Sequence, residues 1–265
     1  MTAHAARIPA GHYRFRHVTR MEWIKLRSLR STWWTLLITA AGAIAMAIVI
    51  GLNTTNGSED LTNNVLAGMV PGLLLTGVLG VLVMTSEYSS GMIRATLAAA
   101  PRRPLLLAAK AAVFGGVALA AGEAATFIAF FAGGAALRHG MPAPALSQPG
   151  VLRAVLLSGT SFCLIGLLGL GLGAIIRHSA AAIAVLGGGV YVGAQIIAAA
   201  AHSVLAYMPI LIIGNSLSTT KPQSCGGQVA QCPHFLSPWA GIAVLCLYAA
   251  VALAAGCWLL ARRDA

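Results

Sequence analysis

Residues Ser86–Pro104, SEYSSGMIRATLAAAPRRP, form a polar and basic stretch held between two long apolar runs. It is too short and too charged to cross a bilayer, and too apolar along one side for a free loop. Its spacing predicts a short helix over 89–100, with Ser86 as N-cap and Glu87 near the positive end of the helix dipole. Met92, Ile93, Thr96, Leu97 and Ala100 share one face of that helix. Pro101 stops it, and after Arg102 and Arg103, Pro104 suits the first turn of the next one. A helix of this size has nothing of its own to cover its apolar face. It either lies in the lipid headgroups or docks onto a soluble partner.

The flanking runs set the class. The chain has 265 residues, 58% hydrophobic and 9% charged, with mean hydropathy +0.83. Soluble domains carry roughly 25% charged residues, so a soluble globule is excluded, and no alternating strand pattern suggests a barrel. The expected fold is all-α: one polytopic membrane domain over 1–265. It comprises a cytoplasmic basic N-terminus with an amphipathic interfacial helix (1–32), a six-helix bundle (33–260) and a cytoplasmic tail (261–265). The net charge of +11 would suggest nucleic acid in a soluble protein. Here the basic residues gather beside the spans, where they set topology and touch anionic lipid, so no nucleic-acid partner is expected.

Residues 14–33 read as the interfacial helix, with Phe15, Val18, Leu26, Leu29 and Trp33 along one side and Arg16, Arg20, Arg27 and Arg30 along another. Glu22 intrudes on the apolar stripe, and Lys25 is its nearest partner, as an exposed local ion pair. The spans are expected at Trp33–Leu52, Val65–Thr85 (kinked at Pro71), Leu105–Ala136, Val151–Ile176, Ala180–Ala201 and Trp239–Leu260, each near the roughly 20 residues a bilayer needs. Lys110, low in the third span, is expected to snorkel to the inner surface. Residues 202–238, with a short apolar core broken at Pro209, read as one external element. In this layout only Arg138, Arg153 and Lys221 fall outside among the basic residues, and both termini are cytoplasmic.

Few side chains suggest chemistry. Cys225 and Cys232 flank CGGQVAQC in the external element and are expected to form a disulfide. Glu123 is the one acidic residue inside an expected span, where a carboxylate faces either a cavity or a neighbouring helix. Tyr191 and Gln195 on the fifth span are candidates to line the same pathway. The GxxxG pairs Gly68–Gly72, Gly169–Gly173 and Gly189–Gly193 are no more than chance supplies among 30 glycines. No phosphate-binding loop, HExxH, GxSxG or CxxC occurs, so no catalytic, metal or cofactor residues are assigned. Any nucleotide hydrolysis belongs to another chain.

The segment Glu87-Tyr-Ser-Ser-Gly91-Met-Ile-Arg94, leading to Pro101-Arg102-Arg103 and Lys110, resembles the ABC-2 type permease subunits of ATP-binding-cassette transporters. The family pattern is E-[YF]-x-x-G-[TM]-[IL]-[RK], then P-x-R and K. Glu22-Trp-Ile-Lys25-Leu-Arg-Ser28 with Arg30-Ser31-Thr32 is similar to the family's interfacial helix, Arg177-His-Ser-Ala-Ala-Ala to its inner turn, and 202–238 to its re-entrant helices. The resemblance implies that Glu87, Gly91, Met92, Ile93, Arg94 and Leu97 form a coupling helix docking on a cytoplasmic ATPase, braced by Glu22, Lys25, Arg27 and Arg30. Glu87 would pair with a basic residue of that partner. The resemblance also implies a second permease copy or paralogue, ATP and Mg2+ held by the ATPase, a bacterial inner membrane, and export of a drug-, antibiotic- or lipid-like substrate. Two other readings stand beside it: an intramembrane enzyme using Glu123, and a non-transporting module that recruits a soluble partner through 86–104.

Overall fold

The computed structural model describes residues 15–55, 60–99, 103–137, 141–193, 206–219 and 236–262. Within them the chain is helical, in ten α-helices: α1 (Phe15–Ser28), α2 (Arg30–Asn53), α3 (Leu61–Ala67), α4 (Val70–Ser89), α5 (Met92–Ala99), α6 (Arg103–Ala135), α7 (Val151–Ile176), α8 (Ser179–Gly187), α9 (Pro209–Leu217) and α10 (Pro238–Arg262). A π-helical turn, Gly188–Val192, follows α8. Five helical segments are long and apolar enough to cross a membrane: α2, α3 with α4, α6, α7 and α10. This is a helical, multi-pass membrane protein.

The most enclosed span is α7, packed between α4, α6 and α10. Small residues let α4 and α7 approach closely. A Cβ at Gly80 would strike the Gly166 carbonyl, and one at Gly169 would strike the Gly77 carbonyl. Two of the three GxxxG pairs therefore mark packing that counting alone does not reveal. Gly169 and Gly173 face α4, and Gly68 and Gly72 face α2, whereas Gly189 has open space around it. Around this crossing Leu73, Val81, Phe162, Ile165 and Leu186 form one apolar core. Met84, Leu107, Phe114 and Leu170 form a second. By contrast α2 and α10 bury little of their surface inside the chain.

Three boundaries differ from the sequence reading. The interfacial helix does not run to Trp33: Leu29 adopts an extended conformation (φ −81°, ψ 96°) that separates α1 from α2 and lets α1 fold back onto α6. The break in the second span falls at Gly68–Met69, just before Pro71, which sits in the first turn of α4. Without an N–H, Pro71 cannot bond back to Ala67, so the helix restarts there. Thirdly, α4 continues past Thr85 to Ser89. Ser86 is therefore interior to α4 and is not the N-cap of the short helix. Glu87 lies in the last turn of the span, at the negative end of its dipole.

The chain ends α4 at Gly91. Ser90 N–H donates to Ser86 O at 3.1 Å and Gly91 N–H to Tyr88 O at 3.2 Å. Gly91 takes φ +70°, the left-handed conformation that closes a helix and costs other residues strain. The short helix α5 starts directly after it.

Several contacts fix which helix ends lie together. The Arg103 guanidinium donates to Leu260 O at 2.9 Å, joining the start of α6 to the end of α10. Arg177, after α7, stacks 5.1 Å from the Tyr88 ring at the end of α4. At the opposite end Asp60 caps α3 by accepting from Asn63 N–H, and also accepts from Thr219 N–H at 2.6 Å. Arg153 donates to Ser218 O at 2.7 Å, tying α9 to the start of α7.

Candidate functional site

The site is built where α1, α4, α5 and α6 converge. Val18 on α1 packs on Leu106 and Ala109 of α6, with Met21 and Leu105 alongside. That seat brings Glu22 and Lys25, one turn further on, against the last turn of α4 and the second turn of α6. Lys110 Nζ lies 2.6 Å from Glu22 Oε2 and 2.7 Å from Glu87 Oε1. Lys25 Nζ lies 2.8 Å from the same Glu87 oxygen and 3.4 Å from Glu22 Oε1, and it donates to Thr96 Oγ1 at 3.1 Å. Two carboxylates and two ammoniums thus form a closed quartet that ties together three membrane-proximal segments and α5.

Burial makes the quartet consequential. Glu22, Glu87 and Lys110 are 4%, 6% and 3% exposed. An ion left unpaired at such depth costs several kcal/mol, whereas a complete pair set is close to neutral for stability. The quartet therefore acts chiefly as a placement device, since any other docking of α1 or α4 strands a charge. Burial pulls the Lys25 ammonium down, but the Glu87 hydrogen bond and the Glu22 carboxylate outweigh it. The net result lies above the ordinary lysine value of 10.5.

These distances overturn three expectations. Glu22 and Lys25 do pair, yet the pair is neither exposed nor merely local, because Lys110 shares it. Lys110 does not snorkel; the two carboxylates hold it inside. Glu87 is not free for a partner's cation, since both of its cationic neighbours belong to this chain. The rest of the short helix is divided. Ile93 is 5% exposed and Thr96 is buried with it, while Met92 is 51% exposed and Arg94 is exposed. The buried face of α5 is thus Ile93 and Thr96, while Met92 remains half exposed. Arg27 and Arg30 are exposed and stay outside the quartet. The side chain of Leu97 lies outside the described residues. Sequence reasoning missed the hub, Lys110, and the role of Thr96. The available signal was the balance of two acids and two lysines at the ends of consecutive apolar helices.

A cavity of about 340 Å³ opens beside the quartet. Glu22, Lys25, Glu87 and Lys110 form one side, and Leu26, Leu29, Val83, Met92 and Val113 contribute apolar walls.

Glu123 stands apart, halfway along α6. Its Oε1 accepts from Thr160 Oγ1 at 3.2 Å, and Gly159 leaves room for the carboxylate against α7. Its Oε2 has no partner among the described residues. Tyr191 lies in the π-helical turn, but its side chain, Gln195, Cys225 and Cys232 fall outside the described residues. Cys163, Cys246 and Cys257 are free thiols. Among the described residues no three His, Cys, Asp or Glu side chains cluster as a metal site would require.

Neither a scan against protein-family models nor a search of curated proteins finds a match for this chain.

Proposed function

We propose that this chain is the membrane-spanning permease subunit of an ATP-driven exporter, moving a drug-, antibiotic- or lipid-like molecule with energy from a separate ATPase. The observation that carries this reading is the quartet. It joins α1 and α5, the two short amphipathic helices, rigidly to the ends of α4 and α6. Force applied to α5 from a soluble subunit would reach two spans without loss in a flexible loop, and a bundle of packed helices responds by switching between discrete arrangements. Docking belongs to the exposed residues Met92 and Arg94, with Leu97. Glu87 and Ile93 transmit the load inward, and Gly91 sets the angle of α5. ATP and Mg2+ are held by the partner, and a second permease copy or paralogue completes the pathway.

The helix-end contacts support a six-span layout. The starts of α2 and α6 and the ends of α4, α7 and α10 share the basic end. Residues 209–219, by contrast, sit beside Asp60 and Arg153 at the opposite end. A sixth span over 180–201, with α9 in an external element, accounts for that separation. With the basic end in the cytoplasm, both termini are cytoplasmic, as the positive-inside rule favours.

The test is reconstitution with a stand-alone ABC ATPase, taken from a gene neighbouring this one if such a gene is found. Gly91→Pro and Met92→Asp are expected to abolish substrate-stimulated ATP hydrolysis while membrane insertion persists. Unchanged stimulation in both variants would exclude the docking role.

A further inference from the structure

The hydrogen-bonding capacity of the quartet is almost, but not fully, used. Lys25 Nζ has three acceptors, Glu22, Glu87 and Thr96, which exhausts an ammonium. Both oxygens of Glu22 accept, one from each lysine. Glu87 Oε1 accepts from both lysines, yet Glu87 Oε2 is buried with no partner among the described residues. Lys110 Nζ donates twice, to Glu22 and Glu87, and has one N–H remaining. One acceptor and one donor are therefore left over, on adjacent groups that both line the 340 Å³ cavity.

We infer that this cavity binds a neutral amphiphile bearing a hydroxyl on an alkyl chain, the hydroxyl donating to Glu87 Oε2 and accepting from Lys110 Nζ. A hydroxyl is the smallest group that does both. The quartet already sums to zero charge, so an ionised head would bring an uncompensated charge into a buried site. A lone bridging water does not account for the space, since a water takes about 30 Å³ of liquid volume, and small-molecule sites begin near roughly 300 Å³. Leu26, Val83 and Val113 give the alkyl chain an apolar wall. Leu29, Ser86 and Met92 line the cavity and are exposed, so they mark its mouth. With α1 lying as an interfacial helix, this mouth would face the region where headgroups meet acyl chains. The site needs no partner subunit, so it stands independently of the ATPase reading.

The test uses the purified full chain in nanodiscs, with a diazirine-bearing octadecanol as photoprobe. Expected labelling falls on residues 26–32 and 83–92 and is competed by unlabelled octadecanol. Stearate, with its carboxylate facing Glu87, should compete at least about tenfold more weakly. Ser86→Trp, which fills the mouth without touching the quartet, should reduce labelling about tenfold. Leu82→Trp, on the same helix but not lining the cavity, should leave it unchanged. Thermal melting of both variants separates a blocked mouth from a damaged fold. Should Ser86→Trp unfold, the competition series on the unaltered chain decides alone. Labelling spread over the outer faces of α2 and α10, stearate competing as well as octadecanol, or a folded Ser86→Trp that labels normally would each overturn the proposal.

Discussion

Lys110 pairs closely with two carboxylates, 2.6 Å from Glu22 and 2.7 Å from Glu87, whereas Lys25 approaches Glu22 only to 3.4 Å. Replacing it with methionine keeps most of the volume but strands Glu22, whose remaining partner, Lys25, is at 3.4 Å. Lys110→Met should therefore destabilise the detergent-solubilised protein by about 3–5 kcal/mol. Adding Glu22→Gln to it should return a large part of that loss, because the stranded charge is gone. A double-mutant cycle by thermal or denaturant melting checks this, and strictly additive effects would show that the two residues are uncoupled. Lys25 offers a pH readout at the same scale. Its folded-state pKa is raised above the ordinary 10.5. Its contribution is therefore fully present below 10.5 and is lost as the pH climbs through the higher folded value. The stability difference between the unaltered protein and Lys25→Met should be flat from pH 7 to about 10 and shrink above 10.5. A difference that shrinks on acidification instead would assign the pairing to another group.

At the scale of elements, Gly91 carries the turn that aims α5. An L-residue at φ +70° costs roughly 1–2 kcal/mol, and asparagine tolerates it best. Gly91→Asn should keep α5 in place, whereas Gly91→Val should release it. Limited proteolysis between 91 and 103 distinguishes the two outcomes, and equal resistance would mean that α5 is held by Ile93 and the quartet alone. The α4–α7 crossing is the other sensitive element. Gly169→Leu drives a side chain into the Gly77 carbonyl and should cost more than the roughly 1–3 kcal/mol of ordinary overpacking, since backbone cannot move aside. Reduced yield of folded protein in mild detergent is the measurement. These elements also show how far sequence reasoning reached. The span Val151–Ile176 is found where expected, because uninterrupted hydropathy and flanking polar residues define it locally. The end of α4 was misplaced because Ser86–Ser89 look like loop residues. They stay helical since Glu87 is held by lysines 23 and 62 positions away in sequence. Pairing over such separations leaves no periodic trace. Glycine spacing behaved likewise: the pairs were visible, but which faced another helix was decided by packing.

For the whole molecule, the decisive claim is direction. The basic end collects Arg27, Arg30, Arg177 and Arg262, and anionic lipid together with the insertion machinery retains such residues on the cytoplasmic side. The opposite end carries Asp60 and the α9 region, with Arg153 bonded to Ser218 O and so already partly satisfied there. The helix-end contacts make these two ends rigidly distinct, so one accessible site at each is enough to orient the bundle. In a chain with its five cysteines replaced, Met92→Cys should react with a membrane-impermeant maleimide only after the cells are opened. Cysteine placed at Trp239, exposed at the start of α10, should react in intact cells. The reverse pattern would turn the bundle over. It would put α5 out of reach of any cytoplasmic ATPase, and the export reading would fall even if every intramolecular contact were correct. Labelling of both sites from outside would instead mean that α4 or α10 does not cross. Of the two it would be α10, because the Arg103 contact to Leu260 O places the start of α6, and with it Met92, on the side where α10 ends.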